Sequence, residues 1–476
     1  MPMWKKYFGL AILCLCSGIA ANAQPSVPDS TSFTETKKDP SPNAYFIVGE
    51  IDITGNKRTK NYIIERELPF RPGDSVQLSE LVKQFEIARE QLINTRLFIN
   101  AVVALKSIHG YIVNVSIDVT ERWYVFPIPY IKPVDRNLAE WAKQGYGTDR
   151  LNYGFKFTHY NVSGRNDKLR LWLIAGYSKQ LKFEYEQPYA DKTLKHGYKV
   201  GLSYASSKEI NYATIDNEQQ FTDSLSAFKT WAGHIEYDYR PGLRTFHSLR
   251  FAYTRLNLDR NIISLNPKYY KDGVYRLDLP EISYTLRHYN VDYIPYPLKG
   301  WMGEISLLKR GIHSYTEMWQ LTAKYSKAVD LGKKWSLNWQ GQGLLRLPFD
   351  QPFYNSQLFG YQDFYLRGLE KYVIDGVAGI MGRQTIRKEL LRFNIPTFLQ
   401  STTHDKIPFT IYAKAFTDVG YSHNKMFPEN SLTNKMLYTA GFGIDVVTFY
   451  DFVFRFDYSF NQLGQNGLFL HFKNEF

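Results

Sequence analysis

Residues 451–460 of the chain, DFVFRFDYSF, decide the fold. Every second residue from Phe452 to Phe460 is aromatic, and the residues between them include Arg455 and Asp457. This alternation places the aromatic side chains on one face of a β-strand and the polar side chains on the other. Two charges in an ordinary core would be costly, whereas a membrane barrel has lipid on one side and a wet lumen on the other. The stretch therefore predicts a strand of an outer-membrane β-barrel.

The same alternation recurs after Trp123, in segments of roughly ten residues separated by turn residues. We count about sixteen antiparallel strands, an even number that returns both ends of the barrel to the same side of the membrane. The sequence thus predicts a transmembrane β-barrel over residues 122–476. The longer connections would then all lie outside the cell: 132–149, 207–226, 258–275, 347–380 and 421–435.

The composition agrees with a barrel. Aromatic residues make up 16% of the chain, yet the mean hydropathy is −0.36. A secreted β-sandwich or propeller would explain the alternation but not this aromatic content, which is typical of barrels with aromatic girdles. The net charge of +12 is scattered along the strands rather than clustered, so we expect no nucleic-acid partner.

Residues 1–23 have the pattern of a signal peptide. Lys5 and Lys6 precede a short apolar stretch, and Ala21-Asn22-Ala23 forms a small-x-small cleavage site. The apolar stretch is too short for a membrane anchor, and the leucines before both cysteines disfavour a lipoprotein. The two cysteines of the chain lie in this segment, so we expect the mature protein to have no disulfide and no cysteine-based metal site. Residues 24–44, rich in Pro, Ser and Thr, predict a flexible linker.

Residues 45–121 predict a small periplasmic α+β domain. An alternating stretch at 45–54 is followed by two segments with helical periodicity, which begin after Thr59 and at Ser79. Two further alternating stretches complete the order β-α-α-β-β.

The longest predicted loop contains Leu366-Arg367-Gly368-Leu369, a motif that is weak by itself. Three predicted strands carry residues that could bind this loop. Their carboxylates suit the guanidinium of Arg367, and their glycines would allow the loop to approach the strands closely. The alternative is a scattered set of lumen charges that line a pore. The residues on these strands are Glu389, Phe416, Asp418, Gly420, Gly441, Gly443 and Asp445.

These motifs, in this order, resemble the BamA/TamA-like outer-membrane assembly superfamily, in which POTRA domains precede a sixteen-strand barrel. The unit at 45–121 resembles one POTRA domain. The resemblance implies that the loop folds into the lumen and that Arg367 pairs with Asp418, with Asp445 or Glu389 as second partners. The family usually has an aromatic residue where this chain has Leu369, which leaves stacking at the loop tip open.

The first predicted barrel strand contains Pro127 and Pro129. Because their nitrogens point to the same side, one edge of the strand lacks consecutive hydrogen-bond donors. If that edge faces the last strand, between Gly467 and Phe476, the barrel closes at a weak seam. Such a seam could open sideways or template a client strand by β-augmentation. The alternative is that part of 123–131 is linker.

The sequence therefore favours an outer-membrane insertion or translocation factor that receives unfolded client proteins in the periplasm. The expected partners are the outer-membrane bilayer, the clients and accessory periplasmic or lipoprotein subunits. The alternatives are a two-partner-type secretion pore and a passive porin or solute channel. We expect no enzyme, cofactor or metal site, because the chain has neither a Gly-x-Ser-x-Gly nor a His-Glu-x-x-His motif.

Overall fold

The computed structural model describes residues 44–133, 145, 147–312, 317–361, 363–397, 406–426 and 430–472, except the side chains of 149, 223–226 and 272. The expected signal peptide, the expected linker up to residue 43, and Phe476 lie outside these residues. The account below concerns the unit that begins at Tyr45. In the described part of the chain, no helix is both long and apolar enough to span a membrane.

The N-terminal domain is a four-stranded sheet with two helices. The strand order is β2-β1-β4-β3, and β1 runs parallel to β4. Leu81, Ala88 and Leu92 are buried on one face of α2, as its helical period requires. The short strand β2 was not predicted, because three residues carry too little alternation to be recognised. The elements are β1 (Tyr45–Thr54), α1 (Asn61–Glu65), β2 (Ser75–Gln77), α2 (Leu78–Asn94), β3 (Phe98–His109) and β4 (Ile112–Glu121).

Sixteen strands form the second sheet, and each pairs antiparallel with the next. They are β5 (Val125–Pro133), β6 (Leu151–Tyr160), β7 (Lys168–Gly176), β8 (Ser178–Gln187), β9 (His196–Ile215), β10 (Glu218–Tyr239), β11 (Thr245–Leu258), β12 (Arg276–Val291), β13 (Gly300–Arg310), β14 (Met318–Gly332), β15 (Trp335–Leu347), β18 (Ala378–Pro396), β19 (Lys406–His423), β20 (Met436–Thr448), β21 (Val453–Asn461) and β22 (Asn466–His471). The short strands β16 (Gln357–Phe359) and β17 (Ile374–Asp375) pair with each other between β15 and β18. Two short helices lie in the connections, α3 (Arg260–Leu265) and α4 (Phe353–Ser356).

The sheet has a polar inner face and an apolar outer face. On β21, Arg455 and Asp457 are buried, whereas Phe456 and Phe460 are exposed. The side chains point alternately to the two faces of the sheet, as the sequence predicts. This pattern confirms the expected barrel, whose interior holds the charged side chains.

The sheet curls so that distant strands meet. The Tyr296 hydroxyl, in the turn after β12, donates to Asp445 on β20 at 2.8 Å. The ring centroids of Phe126 on β5 and Tyr450, just before β21, are 5.5 Å apart. Among the residues that the structure describes, however, no backbone pairing joins β5 to β22. The two ends of the sheet therefore approach each other without a continuous ladder.

One expected connection is mostly strand. Residues 207–226 were predicted to be a loop, but β9 and β10 extend through most of them as a long hairpin. Asp216 and Asn217 form its tip with positive φ angles of 51° and 63°, which suits a tight two-residue turn. Ile210 and Tyr212 pack on one face against a buried apolar cluster, but polar residues surround them in the sequence, so the apolar alternation is too short to indicate a strand.

The N-terminal domain is held against one end of the barrel, which we call the proximal end. Contacts to five barrel turns fix it there, one of them from Arg122, whose guanidinium binds Asp451 at 2.8 and 3.0 Å. The other turns are reached through Arg58–Asn161, Glu67–Tyr189, Glu67–Arg240 and Asn94–Ile294. The first four of these turns along the chain connect strands between β6 and β13, and the fifth connects β20 to β21.

The strongest of these contacts is the ion pair between Glu67 and Arg240. Nη2 of Arg240 lies 2.7 Å from Oε2 of Glu67, and the Tyr189 hydroxyl donates to the same carboxylate at 2.9 Å. Burial by itself would raise the pKa of Glu67, but the adjacent guanidinium outweighs it and lowers the pKa below its ordinary value. The carboxylate is therefore ionised at neutral pH.

We expect E67Q to loosen the domain from the barrel. Removing one charge leaves Arg240 buried and unpaired, at a cost of about 3 kcal/mol. Hydrogen exchange should then accelerate in α1 and in residues 240–243. E65Q is the matched control, because Glu65 lies two residues away, at the end of α1, and is exposed.

The pH dependence follows from the lowered pKa. Glu67 stabilises docking fully above the ordinary carboxyl pKa of 4.5, and this contribution is lost as the pH falls through its lower folded value. Protection of residues 240–243 should thus persist at pH 5. Equal exchange in E65Q and E67Q would contradict the assignment.

Candidate functional site

The connection between β15 and β18, residues 348–377, is here called the lumen loop. It has a small core of its own, in which Leu366 and Leu369 are buried. This core packs against the barrel wall through Met381 on β18 and Leu437 on β20. Leu369 stands where the resemblance leads one to expect an aromatic residue, and here it contributes to this core.

Arg367 of the lumen loop lies against Asp418 of β19. Nε of Arg367 is 3.0 Å from Oδ2 of Asp418, and the backbone N–H of Arg367 donates to the same oxygen at 2.9 Å. Nη1 donates to the hydroxyl of Thr385 at 3.0 Å. Arg367 is 2% exposed and Asp418 is 0% exposed, so the pair is fully removed from water.

The guanidinium also stacks on the wall. Cζ of Arg367 lies 4.0 Å from the ring centroid of Phe416, a cation–π contact. The ring occupies the space over Gly441, where an added Cβ would lie 2.5 Å from Cζ of Phe416. Asp457 similarly fills the space beside Gly443, at 2.6 Å from an added Cβ. The two glycines were expected to admit the loop itself, but they admit side chains from neighbouring strands.

Two other glycines do accommodate the loop. An added Cβ at Gly420 would lie 3.2 Å from the side chain of Leu366. Gly368 has a φ of 93° and lies so close to the wall that an added Cβ would be 3.0 Å from Cβ of Ser459. The side chain of Asn461 donates to the carbonyl of Gly368 at 2.8 Å. The Arg-Gly step therefore needs glycine for both conformation and space.

The two expected second partners of Arg367 bind other cations. Asp445 lies 2.6 Å from Nζ of Lys414. Glu389, near the proximal end, pairs with Lys334 at 3.3 Å and with Arg392 at 2.7 Å. The hydroxyl of Thr385 takes the place expected for a second carboxylate.

Sequence reasoning missed two inward residues, Lys414 and Arg383. Lys414 bridges Asp445 and Asp457, at 2.6 Å from each. Arg383 donates to the carbonyl of Tyr365 in the loop and lies 3.7 Å from Asp418. The sequence could have indicated both residues, because side chains an even number of residues apart on a strand point to the same face. Lys414 lies four residues before Asp418, and Arg383 lies four residues before Arg387.

The lumen loop also reaches the last described strand. Nε2 of His471 on β22 lies 3.2 Å from Oε1 of Glu370. The His471 ring stacks on Tyr365 with centroids 5.4 Å apart. Gly467 lies on the same strand, opposite Ser459. The loop therefore contacts the inner face of the strand at the seam.

The prolines of β5 face the free edge of the sheet. The N–H of Tyr160 donates to the carbonyl of Tyr124 at 2.7 Å, so Tyr124 directs its backbone groups towards β6. β5 and β6 pair without a register shift, and successive residues direct their backbone groups to alternate sides. Pro127, Pro129 and also Pro133 therefore point away from β6.

The family comparison bears on the N-terminal domain. Residues 46–122 match the family model POTRA, described as surface antigen variable number repeat. This match confirms the expected POTRA domain. No curated protein matches the chain in sequence.

Several solved structures align with most of the chain. BamA from Haemophilus ducreyi, lacking POTRA domains 1–3, is 16% identical, with 90% of this chain and 83% of that chain covered and a TM-score of 0.49. CdiB from Acinetobacter baumannii is 12% identical, with 89% and 73% covered and a TM-score of 0.47. CdiB from Escherichia coli is 10% identical, with 93% and 91% covered and a TM-score of 0.44.

We expect R367A to be far more damaging than K371A. Loss of the guanidinium leaves Asp418 buried with only the more distant Arg383, at a cost of about 3–5 kcal/mol. The heat-modified mobility of the barrel on gels and its urea midpoint measure this loss. Lys371 is the control, since it lies in the same loop and its side chain is exposed. Equal midpoints in the two variants would refute the anchoring role of Arg367.

Hydrogen exchange within β5 tests the free edge. The amides of Phe126, Ile128 and Tyr130 point towards β6 and should be protected. Those of Val125 and Ile131 point away from β6 and should exchange much faster. Equal protection of both sets would show that the edge is paired.

Proposed function

We propose, from the POTRA domain and the sixteen-strand barrel that follows it, that the chain is an insertion or translocation factor of the BamA/TamA-like superfamily. In this proposal the barrel lies in the bacterial outer membrane and the POTRA domain lies in the periplasm. The observation that carries it is the match at residues 46–122 directly before the barrel. The function requires no covalent chemistry.

The POTRA domain has a strand suited to capturing an unfolded chain. β3 is an edge strand that pairs only with β4 in the described residues. Val102, Leu105 and Ile108 are exposed along it. An open edge beside apolar side chains can accept a client strand through backbone hydrogen bonds. The strand bulges near Leu105, which limits how far such pairing extends.

The seam is the proposed route from the barrel into the membrane. At the free edge of β5, only Val125 and Ile131 can donate hydrogen bonds, because Pro127, Pro129 and Pro133 have no N–H. A seam with few hydrogen bonds opens at lower cost than any other strand pair of the barrel. The lumen loop contacts β22, so its position is coupled to the seam.

A passive porin is the alternative from another functional class. The lumen loop opposes it, because Arg367 and Asp418 hold the loop in the interior as a buried pair. A two-partner-type secretion pore remains closer in mechanism, since it would also use a POTRA domain and a barrel. The difference between insertion and secretion lies in the client.

Depletion of the protein tests the proposal. We expect a defined set of outer-membrane or exported proteins to be lost, as measured by quantitative proteomics of outer-membrane and secreted fractions. R367A should reproduce the loss and K371A should not. Loss of a single secreted protein with unchanged barrel proteins would indicate a secretion pore. Unchanged proteomes with a steady conductance in planar bilayers would indicate a passive channel.

A further inference from the structure

The outer face of the barrel carries an apolar groove that the proposed function does not use. The groove has a volume of about 850 Å³ and crosses β12 to β15, β18 and β19. Large apolar side chains normally cover this face of a barrel. Here the floor of the groove consists of small residues in adjacent strands. They are Gly303, Ala323, Gly341, Gly343 and Gly382.

The floor is continuous from β14 to β18 through Ala323, Gly343, Gly341 and Gly382, whereas Tyr325 separates Gly341 from Gly303. Gly303 and Gly341 both lie opposite Tyr325, and Gly341 also lies opposite Gly382. An added Cβ at Gly341 would meet no atom within 4 Å. Glycine is therefore not required there by packing, although it weakens a strand. Glycine within a strand often marks the close approach of a ligand.

The walls of the groove are apolar and accessible. Trp301, Ile305 and Tyr325 stand on one side, and Ile380 and Val419 stand on the other. The volume lies within the range of small-molecule sites, about 300–1,000 Å³. A groove with such walls fits hydrocarbon.

A second hollow of about 490 Å³ adjoins the groove at Trp301 on its proximal side. Lys327 lines this hollow, directly opposite Trp301 on one neighbouring strand and Trp339 on the other. Within the described residues, no hydrogen bond or ion pair involves the exposed Lys327 side chain. Lys299 also lines the hollow and makes only a 3.8 Å contact with Glu86, both being exposed.

One carboxylate shares the second hollow. Asp330 lines it and accepts a hydrogen bond from the N–H of Gly332 at 2.8 Å. Glu86 balances Lys299, so among the described residues of the hollow the cation without an ion-pair partner is Lys327. A cation between two tryptophans has the arrangement of a membrane interface, where aromatic side chains lie at the level of the headgroups.

We propose that the groove and the hollow together bind one anionic phospholipid. Its acyl chains lie in the groove, and its phosphate lies at Lys327. The adjoining cation favours an amphiphile over a second copy of the barrel or a client strand, neither of which needs a positive charge at the end of an apolar groove. The site requires only that the barrel lie in a membrane, and it does not require that the barrel insert clients.

Native mass spectrometry of the full-length protein in detergent, with dioleoylphosphatidylglycerol added, tests the site. We expect one lipid that survives delipidation. G341L should lower the bound fraction about tenfold, because its Cβ meets no atom of the protein within 4 Å and the rest of the leucine occupies the groove. K327Q should weaken binding about tenfold through loss of a charge-assisted contact, and binding of dioleoylglycerol, which has no phosphate, should not change.

Two controls place the same changes elsewhere on the outer face. A175L adds a leucine on β7, and K388Q removes an outward lysine that lies over Trp335. Both should bind the lipid as the unmodified protein does. Unchanged binding in G341L, or equal loss in A175L, would overturn the proposal. Conversion of a dimer to a monomer by G341L without loss of lipid would identify a second copy as the occupant and would also overturn it.

Discussion

A buried charge must find a partner, and the wall formed by β18 to β21 depends on this constraint. Its inner face and Arg367 of the lumen loop bring together five buried cations, Arg367, Arg383, Arg387, Lys414 and Arg455, and three buried carboxylates, Asp418, Asp445 and Asp457. A further buried carboxylate of the loop, Asp375, accepts hydrogen bonds from Tyr361 and Asn430 instead. Lys414 bridges two of the carboxylates, and the lumen loop supplies the guanidinium that pairs with the third. The lumen loop therefore supplies the close partner of Asp418 as well as filling the lumen.

The excess of cations is offset by aromatic rings. Cζ of Arg387 lies 4.4 Å from the centroid of Tyr296, and that of Arg383 lies 4.7 Å from Tyr365. Both tyrosines belong to connections that fold inward. A cation above a ring gains electrostatic stabilisation without a further carboxylate. The inward connections and the strand charges are therefore interdependent, so a change in one should alter the position of the other.

Much of the architecture could be predicted from the sequence, because alternation is a local property. The Phe452 to Phe460 row shows which face of β21 is polar without knowledge of its neighbours. The partner of Arg367 required the resemblance to a known family, since 51 residues separate it from Asp418. The role of Gly441 could not be inferred, because it depends on which residue of β19 lies beside it. The 207–226 hairpin could not be predicted, because its apolar alternation is limited to Ile210 and Tyr212, which pack against residues distant in the chain.

The docking of the POTRA domain has a consequence for folding. Arg122 and Asp451 are 329 residues apart in the chain, and Glu67 and Arg240 are 173 apart. Bringing such distant segments together costs conformational entropy, and topologies dominated by long-range contacts fold slowly. A folded domain that binds successive turns divides one long chain loop into several shorter loops. Each docked turn shortens the chain segment that still has to be closed. The domain would thus act as an intramolecular template, and the turn between β20 and β21 would be positioned for closure by the same domain that received the first turn.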